Sequence, residues 1–473
     1  MVFWGRSKSG KIKPMFKKIK NIHFVGIGGS GMSGIAEVLL TLGYSVSGSD
    51  AKESDVTRRL AGMGAKIFLG HRADHVGGAH VVVTSTAVQP DNPEVIEAHG
   101  QKIPVIPRIE MLAELARLKY TIAVGGTHGK TTTTSLISLV LQAGGLDPTV
   151  IVGGRMHNLG TGARVGRGEY LVAEADESDG SFLKLAPTLA VVTNIDDDHL
   201  DYWGTLSNLV SGFERFANKV PFYGRVILGV DDLGSRKIGD KIRRPLLTYG
   251  ISPDADIQAR DICPGPEGTT FSVYRFGTLL GDIHWNVPGR HNVINSLAAV
   301  AAGLELDVPF LKIAEALASF QGVGRRLEWK GERGGVAVMD DYGHHPTEIK
   351  ATLQALKERF PQRRAVVVFQ PHRYSRTRNL ADEFAASFSQ ADVVGLLDIY
   401  AASEAPLPGV TSDWLAERVR AQGVSVTRLT AETGPATLRG LVKKGDVVLT
   451  LGAGDVWRWG EQLLAALAPA SAP

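Results

Sequence analysis

Glycines, a lysine and a run of threonines at short spacing can hold a polyphosphate, and residues 121–134 place them in one stretch, Thr-Ile-Ala-Val-Gly-Gly-Thr-His-Gly-Lys-Thr-Thr-Thr-Thr. An apolar, β-prone run stops at Gly125 and Gly126, a loop through Thr127, His128 and Gly129 follows, and an apolar helical segment begins at Ser135. The glycines leave backbone N–H groups open to wrap phosphates at a positive helix end. Lys130 supplies a point charge and Thr131 a hydroxyl for Mg²⁺. Only three residues separate Gly125 from Gly129, fewer than in the usual phosphate loop. An ammonium ~4 Å from a phosphate is worth ~4 kcal/mol at an effective dielectric near ~20.

Two further strands end in acids. Tyr170-Leu-Val-Ala-Glu174 runs into Ala-Asp-Glu-Ser-Asp179, and Leu189-Ala-Val-Val-Thr-Asn-Ile195 runs into Asp-Asp-Asp-His199. Parallel strands deliver their C-terminal ends to one edge, so Glu174 and His199 can face a triphosphate held by Lys130. Hard Mg²⁺ wants oxygen ligands, which Thr131 and Glu174 offer, and His199 could complete a second metal site. The remaining acids read as a solvated loop.

Nearer the N-terminus, Asn21-Ile-His-Phe-Val-Gly-Ile-Gly-Gly-Ser-Gly31 is a short strand running into Gly26, Gly28 and Gly31. Met32, Ile35, Ala36, Leu39 and Leu40 follow at helical spacing, and Tyr44 to Asp50 forms the next strand. This is a βαβ dinucleotide fingerprint that taken alone argues for NAD with Asp50 on a ribose, although any nucleoside diphosphate suits such a helix end. The apolar strand Ala79 to Thr84 ends in Ser85-Thr86-Ala87, whose hydroxyls contact a phosphate or cap a turn. His23, His71, His75, His80 and His99 show no ligand spacing and read as ordinary surface or loop residues.

Three polar clusters lie further along. Asn286 to Asn295 leads into a buried Ala-rich helix, and His291 and Asn295 there either bond a base or cap the helix. Val336 to Pro346 is a strand and loop carrying Asp341, Tyr342 and His344, followed by an amphipathic helix marked by Ile349, Leu353, Leu356 and Phe360. Strand Ala365 to Gln370 leads to Arg373, Arg376 and Arg378, which suit a carboxylate or phosphate, or surface ion pairs.

These residues need α/β scaffolds, and the alternation of strands and helices supplies three in series across 473 residues. Residues 1–20 read as a basic flexible leader, 21–118 as the first domain, 119–322 as the second, 323–462 as the third and 463–473 as a flexible tail. Glycines around Gly322 mark a hinge. Arg6, Lys8, Lys11, Lys13, Lys17, Lys18 and Lys20 contribute +7 to a net charge of +3, leaving the body at −4. The basic balance therefore reflects a tail and not a nucleic-acid groove. No apolar run is long enough to span a bilayer, and Cys263 is the only cysteine, which points to a reducing, cytoplasmic setting.

The ordered motifs G-G-T-H-G-K-T-T-T-T, E-A-D-E-S-D-G-S-F, T-N-I-D-D-D-H, P-G-R-H-N-V-I-N, D-D-Y-G-H-H-P-T-E and Q-P-H-R-Y-S-R-T together resemble the Mur ligases, from about Asn21 to Trp459. The resemblance implies an N-terminal Rossmann-like domain holding UDP in place of NAD, a central parallel sheet of P-loop ATPase type, and a Rossmann-like C-terminal domain. It implies ATP and Mg²⁺ as cofactors and UDP-N-acetylmuramate and L-alanine as substrates, in a monomer or homodimer without membrane insertion. An acyl phosphate would form on the lactyl carboxylate, and the alanine amine would displace phosphate to give an amide.

Carried over by position, the resemblance puts Gly125, Gly126, Thr127, His128, Gly129, Lys130, Thr131, Thr132, His291, Asn295, Arg326 and Asp341 around ATP. Thr131, Glu174 and His199 would bind metal. Gly26, Gly28, Gly29, Ser30, Gly31, Met32, Asp50, Ser85, Thr86, Ala87 and Arg108 would hold the sugar nucleotide. Tyr342, His344, Arg373 and Arg376 would shape the amino-acid side, with His344 as base and Lys130, Glu174, His199, His344 and Arg373 as the catalytic set. Related ligases carry a carbamylated lysine, for which Lys219 is a candidate counterpart, although the alanine-adding members do not rely on that group. Closure of the third domain about Gly322 would exclude water. Rival readings are a ligase adding murein tripeptide to the same sugar nucleotide, an NAD-dependent oxidoreductase, and a nucleotide-switched binding protein without turnover.

Overall fold

The structure, a computed structural model, describes residues 18–85, 87–117, 119–152, 163–265, 268–402, 404–430 and 434–467. The leader as far as Lys17, Thr86 and the tail from 468 lie outside the described residues. Contacts divide the chain into two compact units. One runs to Gln258 and includes Leu297–Ala316; the other comprises Ala259–Ser296 with Leu317 onward.

The first unit opens with a five-stranded parallel sheet. Its spatial order is Lys66–Leu69, Ser45–Asp50, Asn21–Val25, Val81–Thr84, Val105–Pro107. Chain order reverses on either side of Asn21–Val25, so a crevice opens beyond its C-terminal end, where Gly26 begins the glycine loop. Met32, Ile35, Ala36 and Leu39 of helix Ser30–Thr41 are buried as the helical spacing requires, and Gly43 ends the turn with φ +86°. The strand expected from Ala79 starts two residues later, at Val81.

A second parallel sheet follows in the order Leu246–Gly250, Arg225–Gly229, Leu189–Val192, Tyr120–Gly125, Tyr170–Glu174, Thr149–Ile151, with Ala163–Arg164 antiparallel at the end. The strand feeding the phosphate loop is thus central, flanked by the two strands that end in acids. Helix Lys130–Ala143 contains threonines and serines that would favour other structures. The hydroxyls of Thr134, Ser135 and Ser138 donate to carbonyls four residues back, so this polar face is buried satisfied.

The apolar cores under these two sheets are continuous, from Met32 and Met111 to Phe182 and Phe213. Phe182, the last residue of the E-S-D-G-S-F run, is fully buried and packs against Trp203, Phe213 and Phe216 at ring separations of 5.1 to 6.2 Å. The core therefore anchors the turn that carries the acids.

In the second unit, hairpin Gly268–Arg275 and Thr278–Trp285 precedes a six-stranded sheet. That sheet runs Glu328–Arg333, Val336–Asp341, Asp446–Leu451, Arg364–Phe369, Val393–Leu396, Ser425–Arg428, parallel except for the first strand. Helix Pro346–Arg359 buries Ile349, Leu353 and Leu356 as the pattern predicts, and its N-terminus closes with a capping box from His345 and Glu348.

The histidine reading needs correction. His80 and His99 are exposed, but His23 is fully buried and His75 nearly so, both against the buried Glu94. A lone histidine in an apolar strand carries no sequence mark of the acid, 71 residues away, that satisfies it.

Phe182→Ala should cost about 3 to 5 kcal/mol, because it removes an aromatic ring that the surrounding rings cannot collapse to replace. A lowered first transition in a thermal melt checks this.

Candidate active site

The phosphate loop is held open by the neighbouring strand end. Thr193 donates from its backbone N to Gly125 O (3.0 Å) and from Oγ1 to His128 O (2.6 Å). Asn194 bonds the loop three times: its O accepts from Thr127 N (3.0 Å), its Oδ1 from His128 N (2.8 Å), and its Nδ2 donates to His128 O (3.0 Å). Asp196 adds a 3.0 Å contact to His128 Nε2. Gly126 has φ +133°, and a Cβ there would collide with Thr193; Gly129, at the helix start, has φ +80°. Both positions require glycine. Thr131 and Thr132 lie in the first helical turn, beside the backbone N–H groups that an anion would use.

Lys130 folds back over this loop. Its Nζ donates to Gly126 O (2.6 Å) and Thr127 O (3.0 Å) and pairs with both oxygens of Glu177, at 3.0 and 2.9 Å. Burial works against the ammonium, but Glu177, Asp176 and Glu174 together hold its pKa above the ordinary lysine value. Glu177 is fully inaccessible, and burial pushes its carboxyl up to about 7 against the pull of Lys130. His199, with φ +56°, brings Nε2 to 3.9 Å from Glu177. Glu174 ends its strand directly beside Val124. The structure thus gathers Lys130, Thr131, Glu174 and His199 as expected, and adds Glu177, Thr193, Asn194 and Asp196. Lys219 is exposed and its ammonium donates to the Leu183 carbonyl.

The glycine loop of the first sheet borders a cavity of about 710 Å³. Gly26, Gly28, Gly29, Asp50, Ser85 and Ala87 line it. Asp50 does not wait for a ligand: its Oδ2 accepts from Gly28 N (2.9 Å), while Ser49 O accepts from Gly26 N and Ile27 N. Ser30 opens the following helix and Met32 is buried in the core, behind the loop. Arg108 lies where a Cβ on Gly31 would strike its guanidinium, and it reaches Asp176 at 3.8 Å. It therefore bridges the glycine loop and the acid loop next to Lys130.

The second unit assembles its own cluster. His291 is partly exposed; burial pushes its pKa down to about 4, Arg326 adds to the fall and Glu348 opposes it. A neutral imidazole is therefore offered at pH 7. Asn295 is buried and donates to Asn292 Oδ1 at 3.4 Å. Asp341 accepts from Leu327 N and Gly343 N, both at 2.7 Å, so its carboxylate braces the backbone around Arg326. Burial pushes Asp341 up to about 6 although Arg326 and those N–H groups oppose it. Arg325, unremarked in sequence, clamps Asp340, Gly452 and Ala453 and leaves Arg326 over the Tyr342 ring at 5.2 Å. His344 Nδ1 lies 3.1 Å from Tyr342 O and 3.4 Å from Glu348 Oε2, both acceptors, so in the neutral ring the proton sits on Nδ1 and the lone pair on Nε2. His372 packs edge-on to His344 and stacks on Tyr400. Arg373 starts helix Tyr374–Asn379 with φ +71°, and Arg376 lies one turn on.

Three family descriptions match in sequence order and cover most of the chain. They are the Mur ligase family catalytic domain over 21–120, the Mur ligase middle domain over 124–303 and the Mur ligase glutamate ligase domain over 325–454. The chain belongs to the Mur ligase family. Among curated relatives, the UDP-N-acetylmuramate--L-alanine ligase of Trichlorobacter lovleyi is 56% identical over 95% of this chain and 99% of its own length. The enzyme of that name from Geobacter sulfurreducens is 55% identical over 96% and 99%. Among solved structures, the UDP-N-acetylmuramate-alanine ligase of Thermotoga maritima aligns at TM-score 0.81 and 30% identity, covering 95% of this chain and 99% of that one. A murein peptide ligase from Psychrobacter arcticus aligns at 0.71 and 26%, covering 96% and 100%. As a Mur ligase, the chain has the three-domain α/β architecture that the motif order implies, and its first glycine fingerprint is not evidence for NAD.

Gly126→Ala should weaken ATP binding at least ~100-fold with the fold retained, because the collision with Thr193 distorts the loop; calorimetry with ATP alongside circular dichroism checks it. His291 gives a pH expectation. Its folded pKa lies below the ordinary 6.5, so its contribution to stability is complete above about 6.5 and declines as pH falls toward 4. An NMR titration of the His291 ring should show a midpoint well below 6.

Proposed function

We propose that this Mur ligase joins L-alanine to the lactyl carboxylate of UDP-N-acetylmuramate, with ATP converted to ADP and phosphate through an acyl phosphate. The observation that carries the reading is the Arg108–Asp176 contact within one unit. It sets the edge of the glycine-loop cavity against the acid loop that holds Lys130, so a carboxylate carried by a sugar nucleotide can meet a terminal phosphate. The alanine-ligase names of relatives above 50% identity favour L-alanine over the murein tripeptide as acceptor.

In this reading the chain binds and orients. Backbone N–H groups at Gly129 to Thr131 and the Lys130 ammonium hold the triphosphate, offsetting its repulsion of the incoming carboxylate. Glu177 keeps Lys130 charged and fixed before ATP arrives. Thr131, Glu174 and His199 would hold a hard divalent cation, with Glu177 committed to Lys130. Mg²⁺ there would supply further charge compensation on the phosphates. His291, neutral, and Asn295 offer hydrogen bonds to the adenine, while Arg326 is kept available by the Arg325 clamp. Arg373 and Arg376 would take carboxylates, and the Nε2 lone pair of His344 would accept the proton that the alanine ammonium must lose. Among the described residues no helix is long and apolar enough to cross a membrane, and we place the reaction in the cytoplasm.

With ATP, Mg²⁺ and UDP-N-acetylmuramate, ADP should appear when L-alanine is added, and hydroxylamine should trap an acyl hydroxamate. Turnover with tripeptide but not L-alanine would reverse the choice of acceptor. Lys130→Ala should lose roughly 10² to 10³-fold in turnover.

A further inference from the structure

Next to Pro93, which lines the N-terminal cavity, stands a buried acid. Glu94, the second residue of helix Pro93–Gly100, is fully inaccessible. Its Oε1 lies 2.8 Å from His75 Nδ1 and 3.2 Å from the backbone N of Arg72; its Oε2 lies 2.6 Å from Ser49 Oγ and 3.4 Å from His23 Nε2. Burial alone would raise this carboxyl, but the bonds from His23, Ser49 and His75 outweigh it and hold the pKa at about 2. Glu94 is therefore a carboxylate at neutral pH and can only accept.

That fixes a chain of protons. The single Ser49 hydroxyl proton goes to Glu94 at 2.6 Å. His71 Nδ1, 3.0 Å from the same Ser49 oxygen, must then donate to it. In its neutral form the ring consequently carries a lone pair on Nε2, and His71 lines the cavity beside Asp50 and Ser85. A ribose hydroxyl can donate or accept and would adapt to either tautomer. A uracil imide N–H can only donate, whereas the same position of cytosine only accepts.

We propose that Glu94, acting through Ser49, is a positioning residue that sets the tautomer of His71, so that Nε2 presents a hydrogen-bond acceptor to the imide N–H of uracil and discriminates against cytosine. The proposal rests on the cavity being the sugar-nucleotide site.

Glu94→Gln tests it with an inverted polarity. The Arg72 backbone N–H can only donate, so the glutamine oxygen must take the Oε1 place and its NH₂ the Oε2 place, facing Ser49. Ser49 then accepts from the amide and donates to His71 Nδ1, which moves the ring proton to Nε2. UDP and CDP are compared as competitors of UDP-N-acetylmuramate in the ADP-release assay. Wild type should prefer UDP, and in Glu94→Gln the preference should fall about 10-fold, with CDP binding gained and turnover at saturating substrate preserved. Nitrogen NMR of His71 should report the proton on Nδ1 in wild type and on Nε2 in the variant. If Glu94→Gln does not fold, Ser49→Ala breaks the same link and should lose the preference without inverting it. A UDP-to-CDP ratio or a His71 tautomer unchanged in the folded variant overturns the proposal. Failure of UDP to compete with wild type would instead refute the assignment of the cavity.

Discussion

An ammonium stripped of water survives only where oxygen replaces the water, and the phosphate loop is built around that demand. Lys130 finds two loop carbonyls and the paired oxygens of Glu177. The carbonyls face it because the loop turns sharply at Gly126, and that turn persists because Thr193 and Asn194 tie its backbone to the adjacent strand end. Glu177 is in place because the turn bearing it is anchored by Phe182 in an aromatic core. Removing any of these leaves a buried charge without its partner, which is far costlier than the pair is stabilising. The same preorganisation lets a triphosphate find the lysine already placed and charged.

Three buried carboxylates are held at different charges by the balance between burial and the donors that face them. Glu94, with a hydroxyl, two imidazoles and a backbone N–H, is held at about 2. Asp341, served mainly by two backbone N–H groups and a more distant Arg326, rises to about 6 because burial outweighs them. Glu177, served by one ammonium and crowded by Asp176, rises to about 7. The first is a fixed charge that orders its donors. The other two lie where a small change in surroundings alters their protonation, and both sit beside groups that would meet a nucleotide.

Local residue order carried much of this. The strand, glycines, Lys130 and helix are adjacent in the chain, so their geometry follows from backbone stereochemistry and is legible in the sequence. The same is true of Gly26 to Gly31 and of the helix after Pro346. What escaped depends on long-range pairing. Thr193 and Asn194 read as the end of a strand, and only the placement of Leu189–Val192 beside Tyr120–Gly125 turns them into the clamp of the phosphate loop. Glu177 was one of several acids in a run, and burial, which a short run of letters does not encode, singled it out. His23 and His75 read as surface residues because Glu94 is distant in sequence. Hairpin Gly268–Trp285 shows its period of two only in the short pairs Phe271/Val273 and Ile283/Trp285, and the edge strand Glu328–Arg333 has a single large apolar residue, Trp329, so neither stands out in the sequence.

The paired arginines after Val323 show how one chemistry is divided between structure and ligand. Arg325 accepts φ +60° to reach Asp340 and the carbonyls of Gly452 and Ala453, joining the ends of two neighbouring strands. Its neighbour shares the Tyr342 ring with it, the two guanidinium carbons lying 4.9 and 5.2 Å from the ring centre, and Arg326 comes within 3.6 Å of Glu348. Asp341 fixes the backbone on the far side through Leu327 N. A guanidinium in a mobile loop would lose rotamer freedom on meeting a phosphate or carboxylate; one presented by a clamped backbone has already lost it during folding. The strained arginine therefore matters less for what it binds than for the conformational cost it removes from Arg326.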